Sequence, residues 1–266
     1  MKELRIARKM IVTLIKDRLQ YRGRLLVDTV STLSRCGLLL LLYWYVFQLN
    51  NGVVNGTTFI YSAWSIFFYF SFLIFRLRNI SDGIMYDVKT GNVEVLFNKP
   101  VSYLLYRIWW QIGSGLYSFV VISFLGIIVL GLLLGFPSTM QIWLFVPTYL
   151  LTLLCGSILT LLIYIIIGLL AFWIEDVNPV IWIVDKAIMI LGGSYLSVAL
   201  FPDIMYKIAV YSPFGASQLM SHTVLTPWQT NWYYLVGVQF VWILLLGVVV
   251  YLMFGKAKQN VSVNGG

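Results

Sequence analysis

Histidine occurs once in 266 residues, cysteine twice and acidic side chains ten times, and charged residues of all kinds make up only 11% of the chain. Each scarcity excludes something. The lone His222 has no second histidine or paired cysteine to complete a zinc site, and no arrangement with a serine that would make a nucleophile, so it is expected to be a surface or interface polar group. Cys36 and Cys155 share no spacing motif and fall in apolar runs, which points to buried small side chains rather than a disulfide or metal pair. A phosphate-cradling loop is also missing: GxxxxGK[ST] would need glycine at 250 and serine or threonine at 257, where Val250 and Ala257 stand. The chain is therefore not expected to be an enzyme, to hold a cofactor or to hydrolyse ATP itself.

What is abundant is apolar surface. The chain is 60% hydrophobic with a mean hydropathy of +0.88, whereas a soluble domain carries roughly a quarter of its residues as charges. Several runs exceed the roughly 18 to 20 apolar residues that cross a bilayer, and the alternating segments of a membrane barrel are absent. The fold class expected is all-α: one polytopic transmembrane domain over 1–266, with six helical spans near 27–49, 57–75, 108–135, 142–172, 179–200 and 232–254. The 142–172 run is longer than a perpendicular span needs, so it must tilt, extend or break near Pro147.

The formal charge of +8 reports orientation rather than nucleic acid. Fifteen of the eighteen lysines and arginines precede the first span, lie between the second and third, or follow the last. Basic loops stay on the cytoplasmic side, the loops at 50–56 and 136–141 carry no charge, and both termini are expected in the cytoplasm, facing anionic headgroups. The basic start, MKELRIARKM, lacks a short apolar core with a cleavage site and is expected to be retained.

Residues 3–22 place Leu4, Ala7, Ile11, Leu14 and Ile15 at three-and-four spacing, as an amphipathic helix lying in the interface would. The segment 201–230 is apolar but interrupted by Pro202, Pro213, Gly215 and Pro227, so it reads as a re-entrant outer element, an ordinary surface loop being the alternative. Ten tryptophans gather mostly near span ends, as headgroup belts do, and Asn55-Gly56-Thr57 matches a glycosylation acceptor.

Three constellations carry functional weight. Asp28, Ser31, Thr32 and Arg35 form a polar stripe two turns long on the first span; it reads either as a translocation path or subunit interface, or as an interfacial aspartate with an arginine that snorkels or pairs structurally. Asp185 and Lys186 in the fifth span divide between an interfacial and a buried pair, with Gly192-Gly193 following as a packing point or local break. In the basic loop at 76–107, Gly91 precedes Val93, Val95, Leu96 and Phe97, with Glu94 and Lys99 flanking them and Pro100 ending any helix. One or two helical turns there suit a groove on another protein, or a hairpin resting on lipid.

Three segments resemble the permease subunit of bacterial type-2 ATP-binding-cassette (ABC) exporters of the six-span branch: GNVEVLFNKPVSYLLYR in the basic loop, LLAFWIEDVNP after the fourth span, and LGGSYLSVALFPDIMYKIAVYSPFGA before the last. Lys99 stands where that branch more often has arginine, and Ser197-Val198 where it often has proline. The resemblance implies a multi-pass protein of the bacterial plasma membrane. It implies a separate ATPase partner in two copies, carrying the ATP and Mg, and a second permease, identical or a sister. It makes Val93, Glu94, Val95, Leu96, Phe97 and Lys99 the ATPase-coupling residues, with WIEDVNP as a smaller contact and export as the direction. The competing readings are an intramembrane channel or enzyme using Asp28, Arg35 and Asp185, and a membrane scaffold that transports nothing.

Overall fold

The computed structural model describes residues 2–20, 22–99 and 101–264, and among these the chain is all-α apart from one small hairpin. Tyr21 at the end of the expected amphipathic segment and Pro100 after the apolar loop lie outside the described residues. Helix α1 covers Lys2–Gln20 and α2 covers Arg22–Leu49. Strands β1 (Val53–Val54) and β2 (Thr57–Thr58) pair antiparallel, Val53 opposite Thr58. Then come α3 (Phe59–Leu73), α4 (Asn79–Lys89), α5 (Asn92–Phe97), α6 (Tyr103–Leu134), α7 (Ile142–Leu170), α8 (Asn178–Leu191), α9 (Asp203–Tyr211), α10 (Pro213–Ala216) and α11 (Trp228–Asn264).

Among the described residues four helical segments are long and apolar enough to cross a membrane: Leu26–Leu49, Tyr103–Leu134, Ile142–Leu170 and Trp228–Gln259. The protein is membrane-embedded on that basis. The other two expected spans come out shorter. Residues 57–75 hold the 15-residue α3, and 179–200 hold the 14-residue α8, both below the roughly 20 residues a straight crossing needs. Each has a local cause. After α3 the chain turns at Ile74–Arg76, and Arg76 adopts φ 53°, which no helix continues through. After α8, Gly193 adopts φ 93°, and the Ser194 amide turns back to the Met189 carbonyl at 2.9 Å.

Helix α3 occupies the middle of the bundle. Every residue from Ser62 to Phe72 is buried, the pattern of a helix surrounded on all faces. It packs against α2, α6 and the 3-10 turn Leu219–His222. Trp64 and Phe68 stack its upper half onto Phe136, Phe145 and Tyr149, and the Trp64 indole donates to the Gly135 carbonyl at 3.0 Å. Around this centre α7 runs against α11 and α4, while α1 lies along α6, Ile11 and Leu14 resting on the space that Gly113 leaves open.

Pro147 does not break α7. It stands in the second turn, where the Thr148 and Thr152 hydroxyls bond back to the carbonyls of Leu144 and Thr148 at 2.7 and 2.9 Å. The proline-rich 201–230 segment folds inward: residues 215–225 are buried, and His222, expected at a surface, is fully enclosed with its ring 5.4 Å from that of Tyr206. Both cysteines are buried and free, as expected. Asn55 donates its amide to the Leu200 carbonyl at 3.2 Å, so the nitrogen a glycan would need already holds the hairpin to the chain at 200.

Candidate functional site

The charged groups gather at the end of the bundle opposite the β-hairpin. Four ion pairs are found among the described residues, and each involves the segment between α3 and α6 or the start of α6. Arg76 reaches Asp28 of α2 at 2.6 Å. Arg78 reaches Asp185 of α8 at 3.0 Å, and the Tyr164 hydroxyl of α7 donates to the same carboxylate at 2.5 Å. Lys89 lies 3.7 Å from Asp176 in the turn after α7. Arg107 in α6 holds Asp87 of α4 through Nε at 2.6 Å and through Nη2, and the Tyr103 hydroxyl completes that carboxylate's bonding at 2.8 Å.

Local chemistry explains the positions. The left-handed turn at Arg76 is supported by the Gln111 amide, which donates to the Arg76 carbonyl at 2.8 Å. Helix α4 presents Ile80, Ile84 and Asp87 on one buried face at helical spacing, which carries the single buried carboxylate to α6. Helix α4 then ends in a left-handed Gly91, φ 72°, whose amide donates to the Val88 carbonyl at 3.2 Å, and α5 starts at once. Burial raises the carboxyl of Asp82 on α4 above its ordinary value, with Arg78 drawing it down. The opposite holds for Asp176: the Asn178 backbone and side-chain amides, at 3.2 and 2.6 Å, hold it below the usual carboxylate range.

Within α5 the expected coupling residues part company. Val93 is 4% exposed and buried under the helix. Phe97 meets Tyr103 and Phe254 edge-on, at centroid distances of 5.3 and 5.9 Å, so it ties α5 to α6 and to the far end of α11. Leu96 packs partly against the same core. Val95 points the other way, 64% exposed, beside the exposed Glu94, and Lys99 sits 5.4 Å over the Tyr106 ring. The outward face of α5 is thus Glu94 and Val95 alone among the residues from Val93 to Phe97.

The polar stripe of α2 also divides. Thr32 turns its hydroxyl back to the Asp28 carbonyl at 2.8 Å, and Asp28 is taken by Arg76. Ser31 and Arg35 are exposed, and Arg35 makes no ion pair or hydrogen bond among the described residues. Asp28 to Arg35 line a space of about 150 Å³, and Arg35, Arg76, Arg78 and Asp185 line a neighbouring one of about 230 Å³. Lys186, next to Asp185 in sequence, leaves this group and reaches the Tyr195 hydroxyl at 3.4 Å.

Arg76, Arg78, Asp87, Arg107 and Tyr164 are the members that sequence reading did not pick out. Ile80, Ile84 and Asp87 at helical spacing were the one available signal; the pairings across helices have no spacing to reveal them. Among the described residues no three His, Cys, Asp or Glu side chains come together as a metal site would need. No family model matches the chain, and no curated protein matches it either.

Proposed function

We propose that this chain is the permease subunit of a type-2 ABC exporter, half of a translocation path driven by a separate ATPase. The observation that carries the reading is the attachment of α5. A short helix with an outward Glu94 and Val95 is packed onto α6 and α11 through Phe97, while α4 and the turn leading to it are fastened to α6 by Asp87–Arg107 and to α2, α8 and the turn after α7 by Arg76, Arg78 and Lys89. A partner that pushes on α5 therefore moves membrane helices rather than a loose loop. ATP-driven closure of two ATPase subunits would use that linkage to switch the path by rigid-body motion.

The finer topology belongs to the same proposal. Six crossings result if α3 and α8 each complete a crossing with the irregular residues that follow them, which is tolerable in lipid where protein surrounds the backbone. Both termini and α5 are then cytoplasmic in a bacterial plasma membrane, α1 braces α6 at the interface, and 201–230 caps the outer side as a re-entrant element. An exposed Ser31 and Arg35 on a membrane helix are costly against lipid, which supports a second permease or a water-filled path beside α2. The channel or enzyme reading is disfavoured by the engagement of Asp28 and Asp185 with Arg76 and Arg78.

Tagged chain extracted in mild detergent is expected to bring down an ATPase in stoichiometric amount, with a second permease if the assembly is heteromeric. Val95→Asp is expected to abolish that recovery while insertion and thermal stability stay unchanged, because Val95 packs on nothing it would disturb. Recovery of the chain alone after crosslinking would overturn the reading, as would full ATPase recovery with Val95→Asp together with Glu94→Lys.

A further inference from the structure

The arginine-lined space at the charged end has properties that coupling does not call for. Three cations, Arg35, Arg76 and Arg78, face it, and two carboxylates, Asp28 and Asp185, answer two of them. One positive charge, that of Arg35, is left over. The three arginines and Asp185 are the charged groups on its wall, and the charge left unanswered there is positive.

The surplus of one cation fits the single negative charge of a phosphodiester. The space does not end there. The 150 Å³ chamber shares Arg35 and Arg76 with it, and shares Thr32, Phe70 and Ile74 with a third cavity of about 290 Å³ between α2, α3 and α6. That third cavity is walled by Leu33, Leu40, Phe67 and Leu130 and is almost wholly apolar. The cationic spaces and the apolar chamber thus adjoin at Thr32 and Arg35, one turn apart on α2.

We propose that these adjoining cavities bind an anionic phosphodiester lipid, with the phosphate at Arg35 and one acyl chain between α2, α3 and α6. The site is independent of the ATPase-coupled reading, because it needs nothing but this chain.

The full chain, purified in detergent and stripped of lipid, is titrated in native mass spectrometry with phosphatidylglycerol, phosphatidylcholine, diacylglycerol and inorganic phosphate. Phosphatidylglycerol is expected to be retained in preference to the other three. Arg35→Gln is expected to weaken that retention about tenfold, by loss of a charge-assisted bond, and Arg35→Lys to recover part of it. A Cβ at Gly37, on the wall of the apolar chamber, would meet nothing within 4 Å, so a side chain can start there without a clash, and Gly37→Leu is expected to abolish retention. Lys186→Gln, a cation outside the cavities, should leave it unchanged. Equal retention of phosphatidylcholine, or undiminished retention by Arg35→Gln, would overturn the headgroup assignment. Phosphate binding as strong as the lipid's, insensitive to Gly37→Leu, would reduce the site to an anion site and overturn the lipid. Because these arms use no ATPase, they can fail while ATPase recovery succeeds, and the reverse.

Discussion

Arg107 and Asp87 close the base of the excursion that carries α5: the guanidinium and the carboxylate meet across a sequence separation of twenty, Asp87 only 4% exposed at its side chain. Removing one partner of such a buried pair strands the other. Arg107→Gln is expected to lower stability by about 3 kcal/mol, while Arg107→Gln with Asp87→Asn should recover a good part of that loss. Thermal unfolding in detergent followed by fluorescence checks both. Equal losses for the single and double variants would mean the pair contributes packing and not charge.

Gly91 is required for its backbone, not for space. A Cβ there would meet nothing within 4 Å, yet its φ is 72°. Gly91→Ala is expected to cost about 1 kcal/mol and Gly91→Asn distinctly less, since asparagine tolerates the left-handed region. Hydrogen exchange should rise first in α5, at the amides that follow Gly91.

Phe97 and Val95 should give opposite results although two residues apart. Phe97→Ala strips contacts with Tyr103 and Phe254, and is expected to destabilise the protein by about 3 kcal/mol. Val95→Asp should leave stability unchanged. Thermal unfolding of both variants reads the contrast directly.

Gly115 makes a close approach of a different kind. A Cβ on it would collide with the Phe75 carbonyl oxygen, where the chain leaves α3 against α6. Gly115→Ala is expected to cost about 2 kcal/mol through forced backbone movement, seen as lower yield of folded protein and a lower melting temperature.

The Asp176 carboxyl has a folded pKa below its ordinary 3.8, chiefly through the Asn178 backbone amide. A depressed carboxylate adds stability that is fully present above the unfolded pKa and is lost as pH falls through the folded one. The difference in melting temperature between the parent and Asp176→Ala should therefore be constant from pH 7 to about 5 and shrink below about 4. A difference unchanged down to pH 3 would assign the effect to packing.

Hydropathy was enough to place α2, α6, α7 and α11, because lipid-facing helices must be apolar over their full length. It did not place the ends of α3 and α8. Both are apolar enough for spans, but α3 is apolar because protein encloses it, and its end is set by the turn at Arg76 rather than by any loss of hydrophobicity. In α5 the run from Val93 to Phe97 read as one patch; helical geometry puts Val93 and Phe97 on one side and Val95 on the other, which residue spacing alone would have separated. The stripe on α2 was visible as polar residues at helical spacing. Its division into an engaged Asp28 and a spare Arg35 was not, because the partner of Asp28 arrives from a turn 48 residues later.

The enclosure of α3 bears on how the chain is made. Fifteen residues containing the buried Ser62, Ser65 and Ser71 must leave the ribosome before α6, α7 or the 219–222 turn exist to cover them. The surroundings of α3 are therefore completed late in synthesis: its hydroxyl-bearing face gains its protein partners only after the chain has grown past residue 222, and a chain stopped before that point should leave α3 without the packing that encloses it in the full protein.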